Sequence, residues 1–377
     1  MRNIIVLGAG YAGLGVATRL ARQVDAGEVR VTLVNGRDHF VQRPRLHQAA
    51  AGQKPDAPGL AGLFGGPAAE LRIGWARAVD TAAKVVSVST ADAVEDLPYD
   101  TLVYALGSHV DTTAVPGIAE HAVVLEAGGA RVPETGTVIV CGGGLTGIEA
   151  ACEFAETHPA LTVKLVSRGE PGAWLSEGAR KHIAKAFARL GVEVVRGEVT
   201  AVEAGRLVLA DGELAFDACV WAGGFAVGSL AAEAGLTVDA RGLAVVDAHL
   251  RSVSHPDVYV IGDAAAVTGR DGSVLAMGCR VGAFQGPYVA DAIVAAMLGK
   301  DHAPFTYRYI HQCVSLGRRD AVIQFVHAED ETPRNAVLRG KVAVWYKELV
   351  LNGGLWAHRN PGPYGPHRKV RPAVTAR

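Results

Sequence analysis

A chain of 377 residues is longer than one ordinary core supports and implies two or three domains, since domains usually run about 100–200 residues. An apolar content of 49%, a charged content of 20% and 46 glycines describe a packed α/β protein with many tight turns and exclude a disordered chain. The formal net charge of −1 gives no global attraction for nucleic acid or an anionic membrane. The cysteines, Cys141, Cys152, Cys219, Cys279 and Cys313, form no C-x-x-C pair, which argues against a disulfide framework, a dithiol redox centre or a thiolate metal site and makes a cytoplasmic location the default. No uninterrupted apolar stretch reaches the ~18–20 residues of a membrane span, so any membrane contact is expected to be peripheral.

The chain opens with an apolar strand, Ile4–Leu7, followed by Gly8, Gly10 and Gly13 at G-x-G-x-x-G spacing around Tyr11 and Ala12, then helical periodicity over Leu14–Val24. Each glycine has a reason: Gly8 for a tight turn, Gly10 for backbone approach to a pyrophosphate, Gly13 for close helix–strand packing. The anion would sit on the helix N-terminus. A second strand, Val29–Val34, ends at Asn35, where a dinucleotide-binding unit usually places a ribose-binding acid. In the loop that follows, Arg43 and Arg45 are cofactor-contact candidates or a solvated basic loop, and His47 reads as an ordinary packed or surface histidine. Short alternating strands begin at Trp75, with Ala76 a further contact candidate. Tyr99–Ser108 then runs an apolar strand into Ala105 and Gly107, small residues that admit a neighbouring backbone or a cofactor.

The same plan then repeats. Thr137–Cys141 is a strand, Gly142, Gly144 and Gly147 repeat the spacing, and a helix follows with Glu149 expected in its first turn. Leu161–Val166 is again a second strand, Glu193–Leu209 again short strands, and Phe216–Trp221 again an apolar run into small residues. Duplication of a βαβ-plus-meander plan implies two dinucleotide sites. After it, His255–Ala266 forms a strand ending at Gly262 and Asp263, placed to bond a polyol, and Cys279–Leu298 an amphipathic helix whose first turn could face a cofactor. The expected organisation is a first domain from 1–110 and 249–300, a second inserted as 111–248, and an α+β region from 301–377.

With G-A-G-Y-A-G at Gly8–Gly13, A-L-G at Ala105–Gly107, G-G-G-L-T-G-I-E at Gly142–Glu149 and I-G-D-A-A at Ile261–Ala265, the chain resembles the FAD-dependent pyridine nucleotide-disulfide oxidoreductase-like flavoproteins. Within them it is similar to type II NADH dehydrogenases and apoptosis-inducing-factor-like NAD(P)H:quinone oxidoreductases, which lack a redox dithiol. The resemblance implies two Rossmann-like domains of three-layer ββα type. It also implies FAD on the first unit, with Gly8, Gly10, Ala12, Gly13, Asn35, Gly107 and Asp263 at FAD positions, and NADPH or NADH on the second, near Gly142, Gly144, Gly147 and Glu149. The family's quinone signature, A-Q-x-A-x-Q, is replaced here by Cys279–Gln285, C-R-V-G-A-F-Q.

Ser167 and Arg168 end the second strand of the repeat without an acid, a pattern that suits the 2′-phosphate of NADPH. Glu149 is the candidate for orienting nicotinamide or controlling its access to flavin, or else a helix first-turn acid. The helix start near Cys279 could stabilise charge on reduced flavin, with Arg280 adding to it; Cys279 itself reads as a small apolar filler. The C-terminal region carries strands over Ser315–Val326, a helix over Arg339–Leu355 and a basic set including Arg334, Arg339, Lys341, Lys347, Arg359, Arg368, Lys369, Arg371 and Arg377. It reads as an acceptor pocket, a homodimer surface or a peripheral contact with the inner face of the membrane. The function expected is hydride uptake from NAD(P)H, NADPH favoured, with reduction of a quinone or quinone-like acceptor. The alternatives are a reductase of a small electron-carrier protein and a soluble biosynthetic tailoring flavoenzyme.

Overall fold

The computed structural model describes residues 1–270 and 272–362. The expected tail basics Arg368, Lys369, Arg371 and Arg377 lie outside the described residues. Two five-stranded parallel sheets organise the chain. The first runs, edge to edge, Val258–Val260, Thr101–Tyr104, Arg2–Leu7, Val29–Asn35, Ala69–Ile73. The second runs Glu193–Arg196, Leu161–Ser167, Gly136–Cys141, Ala218–Trp221, Ala122–Val124. The central strands are continuous apolar runs because both faces are covered: Ile4–Leu7 and Val138–Cys141 are buried throughout. Three-stranded antiparallel meanders, Trp75–Pro98 and Val199–Ala215, add the third layer to each unit.

The second sheet interrupts the first between Tyr104 and Val258, which is the expected insertion. Packing brings the chain back earlier than residue 249, however. Ala231, Ala234, Leu236 and Ala244 belong to the core of the first unit, and Ala244–Val245 pairs with Ala265–Ala266, so 230–248 packs with the first unit rather than the second. Sequence periodicity over this short-turn segment carries no sign of which core it joins.

Helix Tyr11–Gln23, which starts three residues before the expected Leu14, packs along helix Cys279–Met297. The crossing is close enough that a Cβ on Gly286 would lie 2.6 Å from the Ala12 carbonyl oxygen and 3.3 Å from Gly15 Cα. This contact of small residues fixes the start of the second helix beside the first glycine turn. In the C-terminal region the expected strand run is a hairpin, His311–Ser315 with Ala321–Val326, joined by Pro333–Arg339 and covered by helix Gly340–Arg359. Among the described residues no helix is long and apolar enough to cross a membrane.

Candidate dinucleotide sites

The two glycine turns are built alike. Gly8 has a φ of +95°, and a Cβ there would lie 2.5 Å from the Ala105 carbonyl oxygen. Gly142 has a φ of +124°, and a Cβ there would lie 2.5 Å from the Ala222 carbonyl oxygen. Only glycine tolerates this backbone beside the end of the next strand. Gly13 and Gly147 each sit against the carbonyl of the turn's first glycine, where a side chain would collide. Gly10 and Gly144 are the N-caps of their helices, and a Cβ on either meets nothing within 4 Å. Neither helix has an acid in its first turn. Each N-terminus therefore presents free N–H groups and the positive end of a macrodipole to open space, as a pyrophosphate requires.

The second-strand ends differ. Asn35 Oδ1 accepts the Ala9 N–H at 2.9 Å and its Nδ2 donates to the Arg37 carbonyl at 2.7 Å, so the side chain spans the turn instead of standing free for a ribose. Ser167 occupies the equivalent place, its hydroxyl against Gly143, and Arg168 beyond it is exposed. Ala76 packs against the first core on strand Trp75–Asp80. Beside it, Trp75 lies over Gly36, with the Arg37 guanidinium 5.8 Å from its ring centroid.

Between the units, Asp263 collects donors from three directions. Its carboxylate accepts the Ser108 hydroxyl at 2.6 Å and the Gly278 N–H at 2.7 Å, with Arg43 Nη1 at 3.5 Å. Gly278 is the N-cap of helix Cys279–Met297, the next helix along the chain, so Asp263 ties that N-terminus to the strand ends. Arg43 also donates to the Ser108 carbonyl at 2.9 Å and lies 5.5 Å from the Phe225 ring, which makes it a bridge between first and second unit. Gly107, at φ +70°, leaves room beside Arg43. Cys279 is half-buried at the helix start, where desolvation pushes its thiol up to about 11 and keeps it protonated. Arg280, expected to face reduced flavin, instead pairs with Glu331 and stacks 4.7 Å from the Tyr309 ring centroid.

Glu149 corrects the sequence reading in two ways. It is the fifth residue of helix Leu145–Thr157, beyond the first turn, and its carboxylate is already engaged. Lys347 Nζ donates to it, as does the Ser315 N–H at 2.9 Å, while Lys347 also donates to the Ser315 hydroxyl at 2.6 Å. Burial pushes the Glu149 carboxyl up, and the Lys347 ammonium with His47 outweighs that, holding it below the usual range. Lys347 is thus a buried ion-pair partner, 5% exposed, and no part of a basic surface. His47 is packed, as expected, but between two carboxylates: Nδ1 lies 3.9 Å from Glu149 and Nε2 3.6 Å from Glu153. Desolvation pulls the His47 imidazole down to about 4, and burial raises the Glu153 carboxyl. Lys347 and Ser315 lie about 170–200 residues beyond Glu149, too far for any motif to show.

Two glycine turns of the same build, each with an open N-cap at a helix start, define a scaffold with two dinucleotide sites, as in flavoproteins that take a flavin and a pyridine nucleotide. The sequence pattern of the pyridine nucleotide-disulphide oxidoreductase family matches residues 2–292, and the chain belongs to that family. It is an FAD-dependent NAD(P)H oxidoreductase. An NADH dehydrogenase-like protein of Mycobacterium tuberculosis is 32% identical over 333 residues, covering 78% of this chain and 80% of that one. The type II NADH:quinone oxidoreductase of Staphylococcus haemolyticus is 28% identical over 383 residues, covering 90% and 94%. The fold is shared with NDH2 of Plasmodium falciparum, solved with NADH, at a TM-score of 0.77, 14% identity and coverage of 98% and 100%. It is shared equally with the sulfide:quinone oxidoreductase of Aquifex aeolicus, at 0.78, 17% identity and coverage of 96% and 92%.

Proposed function

We propose that the chain takes hydride from NADPH in preference to NADH and reduces a quinone or quinone-like aromatic acceptor. The matched pair of glycine turns carries this reading, since both helix N-termini are open, and Arg43 and Asp263 stand together at the strand ends of the first unit. FAD, bound on the first unit, supplies hydride acceptance from nicotinamide and onward electron transfer. Gly10 and Gly144 each leave room for a pyrophosphate, and Asp263 offers carboxylate oxygens to a polyol. Arg43 adds a cation at the strand ends. The NADPH preference is supported by Ser167 and exposed Arg168 at a strand end without an acid. The staphylococcal relative's name supports the quinone.

A peripheral membrane contact is part of this proposal. Helix Gly340–Arg359 exposes Val342, Trp345, Leu349 and Trp356, which recur at helical intervals along one side. A helix of this kind lies in a membrane interface with its apolar side down.

Anaerobic titration of the flavin absorbance tests the reading. Wild type is expected to bleach at lower NADPH than NADH and to recover colour on adding a water-soluble quinone, and Arg168→Ala is expected to lose about tenfold in NADPH affinity with NADH little changed. Equal requirement for both nucleotides in wild type removes the NADPH preference; reduced flavin that a quinone leaves unoxidised removes the acceptor.

A further inference from the structure

The sheet register points to Arg196 as a second specificity-determining residue of the nucleotide site, a cation that joins Arg168 in receiving the 2′-phosphate of NADPH; this rests on the NADPH reading above. We infer this from placement. Strand Glu193–Arg196 is the edge strand of the second sheet, parallel to Leu161–Ser167, and its register sets Arg196 directly beside Ser167. The ladder continues one step further, the Gly197 N–H donating to the Ser167 carbonyl at 3.1 Å. Neighbouring residues in register on parallel strands are about 4.8 Å apart and point to the same face. The Ser167 hydroxyl lies against Gly143, inside the second glycine turn, so the Arg196 side chain leaves the sheet on the glycine-turn face.

The local charge fits an anion. Arg168 and Arg196 are both exposed, and among the described residues neither makes an ion pair. Of the acids near them in sequence, Glu170 accepts from Arg180 at 2.7 Å and Glu193 pairs with Lys164 at 3.0 Å, while Glu198, two residues past Arg196, pairs with neither arginine. Two unpaired guanidiniums at the carboxyl ends of adjacent strands repel each other, and a doubly charged phosphate between them relieves that repulsion. Guanidinium is also the side chain whose fork matches phosphate geometry. Sequence spacing cannot show the pairing, because the two arginines are 28 positions apart with helix Glu177–Leu190 between them.

The experiment is calorimetric binding of adenosine 2′,5′-bisphosphate and of 5′-AMP to the FAD-loaded protein. The two ligands differ only in the 2′-phosphate. Wild type is expected to prefer the bisphosphate, and Arg196→Ala to lose about tenfold in affinity for it with 5′-AMP affinity within about twofold of wild type. Arg196→Lys is expected to recover part of the loss, since it restores charge without the fork. If Arg168→Ala collapses the preference while Arg196→Ala leaves it intact, Arg196 serves only to protect a sheet edge, and the NADPH reading survives without it. Equal loss of both ligands in Arg196→Ala also overturns the assignment. If wild type itself binds the two ligands equally, both readings fall.

Discussion

The first and second units share one glycine turn and differ in what covers it. Over the first unit's helix, the C-terminal helix sets His358 against Tyr11 and Phe40, with ring centroids 5.9 Å and 5.4 Å away. Over the second unit's helix, the same C-terminal helix sets Lys347 against Glu149 and Ser315. The contact over the first glycine-turn helix is aromatic and neutral, and that over the second is an ion pair taken out of water. The turn geometry is dictated by backbone sterics and so recurs; the cover is free to vary because any well-packed surface satisfies the helix beneath it. The first unit's helix is thereby met by an aromatic contact, with Arg19 on the Pro361 carbonyl at 2.9 Å and Arg45 on Glu348 to either side, while the second unit's helix is met by the buried Lys347–Glu149 pair itself.

The largest effect expected from breaking this comparison comes from the shared part. A valine at Gly13 or Gly147 drives a side chain into the carbonyl of its own turn, an overpacking cost of about 3 kcal/mol or more. Gly13→Val is expected to yield protein without flavin. Gly147→Val is expected to retain flavin and lose reduction by nucleotide, read from the purified protein's visible spectrum and its bleaching. Flavin loss in both variants would show that the units do not divide the cofactors as proposed.

Next in size is the charged cover. Lys347→Ala leaves the Glu149 carboxylate buried with the Ser315 N–H as its hydrogen-bond donor and the His47 imidazole 3.9 Å away, and is expected to cost about 3 kcal/mol in denaturant unfolding. Lys347→Met combined with Glu149→Gln, which removes both charges and keeps volume, is expected to recover most of that. A double variant as weak as Lys347→Ala would mean that packing, not charge, holds the cover.

The smallest effect concerns acid. Burial holds both His358, which covers the first unit's helix, and His47, which packs against Glu149 and Glu153 of the second, down to about 4. Each is neutral when folded and takes up a proton when unfolded, so their contribution is full above about pH 6.5 and is lost as pH falls towards 4. Glu153, whose pKa burial raises, offsets part of this near the second unit. Stability is expected to fall by roughly 1–3 kcal/mol across that window. His358→Phe is expected to flatten the profile more than His47→Gln, since no carboxylate opposes His358; an unchanged slope in His358→Phe would show that His358 is not the group titrating.

What the sequence determined by itself was whatever backbone sterics and periodicity enforce locally. Both G-x-G-x-x-G turns, the duplicated strand–turn–helix plan, the insertion of one unit in the other and the Gly262–Asp263 strand end were legible because each is a short-range pattern with one conformational solution. Tertiary structure alone decided which groups meet across the chain. Glu149 reads in sequence as an acid near a helix start, and only packing shows that Lys347 engages it. Lys347 reads as one basic residue among several, yet it is buried. Asn35 reads as a weakened ribose ligand, but its amide spans its own glycine turn. Residues 230–248 join the first core, and Arg196 comes beside Ser167, through strand order. A side chain's partner depends on folding of distant segments, and sequence spacing records no such distance.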